Sequence, residues 1–175
     1  MASLGVYKAL LAHIDEAHRT ACALKWPNDI LCQGRKLSGI LLEASEDGLV
    51  VGCGVNLKNA PHLGGIAYPP VAMDELVSAA TVDAGLLAGS IAASIADLYA
   101  RWQSSGQQII LDEWRDHCDM KGKPVRIQTV ADVIEGICEG IGDDGQLHVR
   151  RLDGQTVQIT AGDVEIMRGR NASGD

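Results

Sequence analysis

Apolar residues recur at helical spacing through Leu4, Tyr7, Leu10, Leu11 and Ile14. This predicts an amphipathic helix, capped by Ser3 and running to about Ala17. The period then changes. Three strand candidates follow at 21–32, 37–45 and 49–57, separated by the short turns Gln33-Gly34-Arg35 and Glu46-Asp47-Gly48. Connections this short force antiparallel neighbours, so the segment reads as a meander. Pro27 breaks the first run; lacking an N–H, it requires a sheet edge or a bulge there.

Residues 58–72 hold three of the five prolines and two adjacent glycines, a long loop of the kind that often carries function. A short helix near 74–79 comes next. A long helix over 83–103 follows, with Leu86, Leu87, Ile91, Ile95, Leu98, Tyr99 and Trp102 as a broad apolar stripe, read as core rather than interface. Another helix spans 107–118. At Met120-Lys121-Gly122 the texture becomes short β-runs at 125–130, 133–141, 147–152, 156–160 and 164–167, the pattern of a small barrel. The expected organisation is a domain over 1–119, a β-barrel over 120–168 and a disordered tail over 169–175.

Composition narrows the function classes. With 46% hydrophobic and 22% charged residues the chain is an ordinary globular sequence. Its formal charge of −8 and pI near 5.0 argue against a general nucleic-acid binder. An anionic ligand must then be held by a few placed cations and backbone N–H groups. The chain has three Trp, three Tyr and no Phe, which leaves few stacking platforms for single-stranded nucleic acid. Five cysteines without C-x-x-C spacing count against a disulfide framework or a zinc site, and read as small buried residues of a reducing compartment. No run reaches about 18 uninterrupted apolar residues and no signal peptide opens the chain, so no membrane role and a cytoplasmic location are expected. A P-loop is excluded, since no G-x-x-x-x-G-K-[ST] occurs.

Candidate chemistry gathers on the meander. Strand parity puts Val51, Cys53 and Val55 on one face and Gly52, Gly54 and Asn56 on the other. Two glycines on one face make a side-chain-free strip on which a flat ligand can rest, with Asn56 beside it to donate and accept hydrogen bonds. The same glycines could instead relieve crowding with a neighbouring element. Lys36 could be a solvated strand end. It could also reach over Gly39 toward a carboxylate or phosphate, as a point charge. Lys25 and Asp29 bracket the irregularity at Pro27.

The series Lys25-Trp26-Pro27-Asn28-Asp29, Arg35-Lys36-Leu37-Ser38-Gly39-Ile40-Leu41 and Gly52-Cys53-Gly54-Val55-Asn56 resembles, in order, spacing and strand context, the catalytic core of the biotin–protein ligases. Gly122-Lys123-Pro124-Val125, Glu135-Gly136-Ile137 and Gly145-Gln146-Leu147 resemble the SH3-like barrel that ends these enzymes. The resemblance implies an α+β fold: a mixed or antiparallel sheet flanked by helices, like the class II aminoacyl-tRNA synthetases, followed by the small barrel. It also implies a two-step reaction. Biotin and ATP, with Mg2+, give biotinyl-5′-AMP, and a lysine of a biotin carboxyl carrier protein then takes the biotin.

In that scheme Lys36 touches the biotin carboxylate and the α-phosphate. Asp29 orients or deprotonates the acceptor lysine, and Lys25 supports phosphate charge. Backbone around Gly39, Ile40 and Leu41, with Gly52 and Gly54, lines the biotin side. Asn56 and Arg168 meet the nucleotide. The family's Gly-Arg-rich loop, the strand before it and the helix-turn-helix of some members have no counterpart here. The expectation is therefore a chain truncated at its N-terminus, with an exposed sheet edge, no nucleic-acid partner and poor turnover alone. The alternatives are a non-catalytic module holding biotin or its adenylate, and a lipoate- or octanoate-type ligase. The resemblance leaves room for a homodimer through the central sheet.

Overall fold

Helix α1, Ala2–His13, buries Leu4, Val6, Tyr7, Ala9 and Leu10. Gly5 lets it approach the long helix α3, Ala84–Ser105; a Cβ there would lie 2.6 Å from Ile95 Cγ1. Ser3 is not the cap the sequence suggested. It sits inside the first turn, and its buried hydroxyl accepts a hydrogen bond from Trp114 Nε1 at 3.1 Å. The helix also stops earlier than Ala17: Ile14 is extended, and Glu16–Arg19 forms a separate turn, α2. Trp114 belongs to α4, Gln108–Asp116. Glu113 of α4 joins the three longer helices, pairing with Lys8 of α1 and, at 2.9 Å, with Arg101 of α3. The computed structural model describes residues 1–61, 65–78 and 82–167.

The run 21–32 is not one strand. It folds back on itself as β1, Cys22–Lys25, and β2, Asp29–Cys32, with Trp26-Pro27-Asn28 as the turn and a cis Trp26–Pro27 peptide. The reason is the one that made Pro27 conspicuous: it cannot donate to a ladder and fixes its own φ, so the chain reverses there. β3, Arg35–Ser45, and β4, Gly48–Val55, complete an antiparallel sheet in the order β1-β2-β3-β4. The helix expected near 74–79 is a 3-10 turn at Met73–Glu75.

Helix α3 departs from expectation in burial. Leu87 and Leu98 are its buried residues, while Leu86, Tyr99 and Trp102 are 71%, 48% and 40% exposed. The stripe is only partly core because α1 covers one side of α3. Between its other side and the Val51, Cys53 and Val55 face of β4 lies an apolar cavity of about 360 Å³. Among the described residues β4 is a sheet edge, and its Leu49 and Val50, with Leu41 and Leu42 of β3 beside it, are more than half exposed, the kind of open edge that accepts another strand.

The chain divides into two compact units, Met1–Asp119 and Met120–Asp175. The second is a five-stranded antiparallel sheet: β5 Pro124–Gln128, β6 Val133–Ile141, β7 Leu147–Arg150, β8 Thr156–Ile159 and β9 Asp163–Ile166, in the order β8-β7-β6-β5-β9. Alternation along these strands buries Val125, Ile127, Cys138, Leu147, Val149, Ile159 and Val164 as its core. Arg168 and the tail 169–175 lie outside the described residues. Among the described residues no helix is long and apolar enough to cross a membrane.

Candidate functional site

The meander brings Lys25, Asp29 and Lys36 together. Lys25 and Asp29 face each other on the last rung of the β1–β2 hairpin, and Asp29 faces Gly39 on the next strand. Lys36 and Gly39 are three residues apart, so a regular strand would send them to opposite faces. A bulge in β3 resolves this: Ile30 pairs with Ser38 but Leu31 pairs with Lys36, leaving Leu37 as the extra residue. Lys36 is thereby re-aimed over Gly39. A Cβ on Gly39 would lie 3.3 Å from Lys36 Cε, 3.4 Å from Lys36 Nζ and 3.3 Å from Asp29 Oδ1. The absent side chain is the space through which the lysine reaches the carboxylate.

Asp29 is held by two cations. Lys36 Nζ lies 2.7 Å from Oδ1 and Lys25 Nζ lies 3.4 Å from Oδ2. The lysines differ in exposure. The Lys25 side chain is 2% exposed and stands over the Tyr68 ring, 4.9 Å from its centre, whereas Lys36 is 43% exposed. Lys25 is built into the protein. Lys36 keeps an open side from which it can meet an anionic ligand.

Beside this cluster the sheet is bare. Gly39 pairs with Gly54 and Leu41 with Gly52, all on one face. Gly52 and Gly54 are exposed. A Cβ on Gly54 would meet only the Gly39 carbonyl, at 3.6 Å, and one on Gly52 only Leu41. Among the described residues no neighbour crowds them, which counts against the crowding reading of these glycines. Leu41, 60% exposed, rises beside the strip. Ile40 points the other way into the core at 3% exposure, and its N–H and C=O are both bonded to Asn28. The two described cavities of this unit lie off this face.

Asn56 continues the Gly52–Gly54 side. Both N–H groups of its amide are committed, to Lys36 O at 3.0 Å and Val71 O at 3.1 Å. Its oxygen is the group it can offer a ligand. These bonds fasten the end of the long loop alongside β3, where Lys36 N–H donates to Pro69 O and Val71 N–H to Lys36 O. Arg35 clamps the same segment through Pro70 O at 2.7 Å and Glu75 at 2.6 Å. Arg35 was quoted in its motif without a role of its own, and Tyr68 and Glu75 were not singled out in the sequence. The proline-rich loop was, but nothing in it told which strand it would line. Among the described residues no group of three or more His, Cys, Asp or Glu could hold a metal ion.

Comparison with known proteins agrees with these motifs. The model of the biotin/lipoate A/B protein ligase family matches residues 1–56, and that of the biotin protein ligase C terminal domain matches residues 122–167. A biotin–[acetyl-CoA-carboxylase] ligase of Paracoccus denitrificans is 36% identical over 169 residues, covering 90% of this chain and 68% of the relative. The Mycobacterium tuberculosis ligase of the same name is 33% identical, over 83% of this chain and 53% of its own length. The fold matches that of an Aquifex aeolicus biotin protein ligase in complex with biotin and ATP, with a TM-score of 0.76 at 21% identity, over 95% of this chain and 71% of that one. The chain thus spans about two thirds of the first of these relatives and about half of the second. Its two matched family models and its identity to these enzymes place the chain in the biotin–[acetyl-CoA-carboxylase] ligase family.

Proposed function

We propose that this chain carries the acyl-adenylate face of a biotin–protein ligase: biotin and ATP combine to biotinyl-5′-AMP with release of pyrophosphate, and biotin then passes to a lysine of a biotin carboxyl carrier protein. The observation that carries this reading is Lys36, half-exposed and aimed across Gly39 beside the bare strip of Gly52 and Gly54. A flat ring system can lie against that backbone, with Leu41 at its side and its carboxylate toward Lys36. A cation at that point counters charge developing on the phosphate oxygens as the carboxylate attacks.

Asp29 has the position for the second step. An ε-amine with a pKa near 10.4 is mostly protonated at neutral pH, and a carboxylate beside the acyl phosphate can orient it and take its proton. Lys25 holds the inner oxygen of Asp29 as an ion-pair partner and so fixes the position of the carboxylate. Asn56 offers its amide oxygen to the nucleotide, and Arg168 is assigned there by resemblance alone. Magnesium accompanying ATP is held chiefly by phosphates and water, with one or two carboxylates. The described residues offer no denser ligand set.

A second reading is favoured by one feature. Gly52 and Gly54 are open to solvent, so an acyl phosphate resting there meets water. The chain would then bind biotin or its adenylate without turnover. Both readings are tested by calorimetry with a non-hydrolysable biotinyl-adenylate mimic, and by transfer of labelled biotin to a carrier domain. Binding that falls at least tenfold in Lys36→Ala, with poor transfer by the wild-type chain, supports the binding reading. Transfer that depends on Lys36 supports the ligase reading. Equal behaviour of wild type and Lys36→Ala in both assays removes Lys36 from the mechanism.

A further inference from the structure

On the opposite face of the same hairpin, Cys22 and Cys32 face each other as direct cross-strand partners with their sulfurs 2.7 Å apart and unbonded. The ladder shows which kind of rung they occupy. Gln33 N–H donates to Ala21 O at 2.8 Å, and Leu24 N–H turns away from β2 to His117 O at 2.9 Å. Hydrogen-bonded and open rungs alternate along an antiparallel pair. Cys22 and Cys32 therefore sit on an open rung, where Cα atoms approach to about 4.5 Å and side chains are closest. That spacing lies within the range a disulfide spans, about 4.4–6.8 Å.

Two features make the pair reactive as well as close. Cys22 lines a cleft of about 660 Å³ together with Tyr7, Arg19, His117 and Cys118, which brings a small solute to one sulfur of the pair, while Cys32 beside it is fully buried. The Cys22 thiol donates to the Cys32 sulfur, and this bond, aided by the Arg35 guanidinium against the cost of burial, holds Cys32 below the ordinary thiol range; Cys22 is pushed up correspondingly. One sulfur of the pair is therefore the more readily ionised, and the thiolate is the reacting form.

We propose that Cys22 and Cys32 are an oxidisable dithiol, a modification site for small hydroperoxides, that closes to an intrachain disulfide across the base of the hairpin carrying Lys25 and Asp29. The step balances with hydrogen peroxide as oxidant: the two sulfurs give up two electrons and form one S–S bond, the O–O bond breaks, and both thiol protons leave in two molecules of water. The bridge would tie β1 to β2 on the face turned away from the glycine strip. It is independent of what that strip binds.

The test uses the wild-type chain, treated with a few equivalents of hydrogen peroxide, quenched with an alkylating reagent and digested with trypsin. Cleavage after Arg19, Lys25 and Arg35 puts the two cysteines in different peptides, 20–25 and 26–35. The expected result is loss of two hydrogens from the intact chain, peptides 20–25 and 26–35 joined until reduced by dithiothreitol, and no joined pair in Cys32→Ser. The exposed Cys53 serves as the internal measure of oxidant strength. The proposal is overturned if Cys22 joins Cys118 instead. It is equally overturned if Cys22 and Cys32 remain separately alkylated, or become sulfinic acids, at a peroxide level that oxidises Cys53.

Discussion

Replacing Asp29 by Ala removes the carboxylate shared by two lysines, and the two halves of that loss differ in size. The Lys36 pair is short but 43% exposed on the lysine side, and exposed ion pairs contribute about 0–1 kcal/mol. The Lys25 pair is longer, at 3.4 Å, but its side chains are 2% and 13% exposed. Breaking one partner of a buried pair costs about 3–5 kcal/mol, because the remaining charge stays desolvated. Lys25 keeps other contacts, the Tyr68 ring among them, and these recover about 2 kcal/mol of this. The expected net cost of Asp29→Ala is then about 1–3 kcal/mol, against less than about 1 kcal/mol for Lys36→Ala. All three tryptophans, Trp26, Trp102 and Trp114, lie in the first unit. Urea unfolding followed by tryptophan fluorescence therefore reports that unit, and the midpoint should fall by roughly 1 M in Asp29→Ala. A double-mutant cycle should give a larger coupling for Asp29 with Lys25 than with Lys36. If Asp29→Ala unfolds with the wild type, or Lys36→Ala costs as much as Asp29→Ala, the division into a structural and an available lysine is wrong.

Gly54→Ala should leave the urea midpoint unchanged or slightly raised, since its Cβ meets only an ordinary 3.6 Å contact and alanine reduces unfolded-chain freedom. The same methyl stands on the open strip, so calorimetric affinity for a biotinyl-adenylate mimic should drop at least tenfold; unchanged affinity would mean that the ligand does not lie there. Burial raises the Glu113 carboxyl, but hydrogen bonds and charge from Lys8 and Arg101 outweigh it and hold the pKa below the usual carboxylate value. Its stabilising contribution is complete above the unfolded pKa and is lost as pH falls through the lower folded one. Glu113→Gln should therefore flatten the acid limb of thermal stability, and a variant that keeps the wild-type acid limb would show that this carboxylate is not linked to folding.

The sequence by itself determined the elements that depend on local pattern. Helical spacing gave α1, α3 and α4 to within a few residues, and period-two runs with Gly-Asp turns gave the five strands of the second unit. Side-chain alternation placed Gly52, Gly54 and Asn56 together, because parity along a strand is a local property. The β1–β2 hairpin was also within reach. Cys22 and Cys32 lie equally far from Pro27, as do Lys25 and Asp29, so reading Pro27 as a reversal rather than an irregularity would have paired both sets.

The tertiary structure decided what depends on register and on what covers each face. The Leu37 bulge that turns Lys36 onto the Gly39 face leaves no mark in composition or spacing, because it is set by how β3 meets β2. Which lysine is buried, where the loop bearing Tyr68 lies, and that α3 keeps half its apolar stripe exposed all follow from packing against residues distant in sequence. Local periodicity states which side chains share a face; it does not state what that face meets.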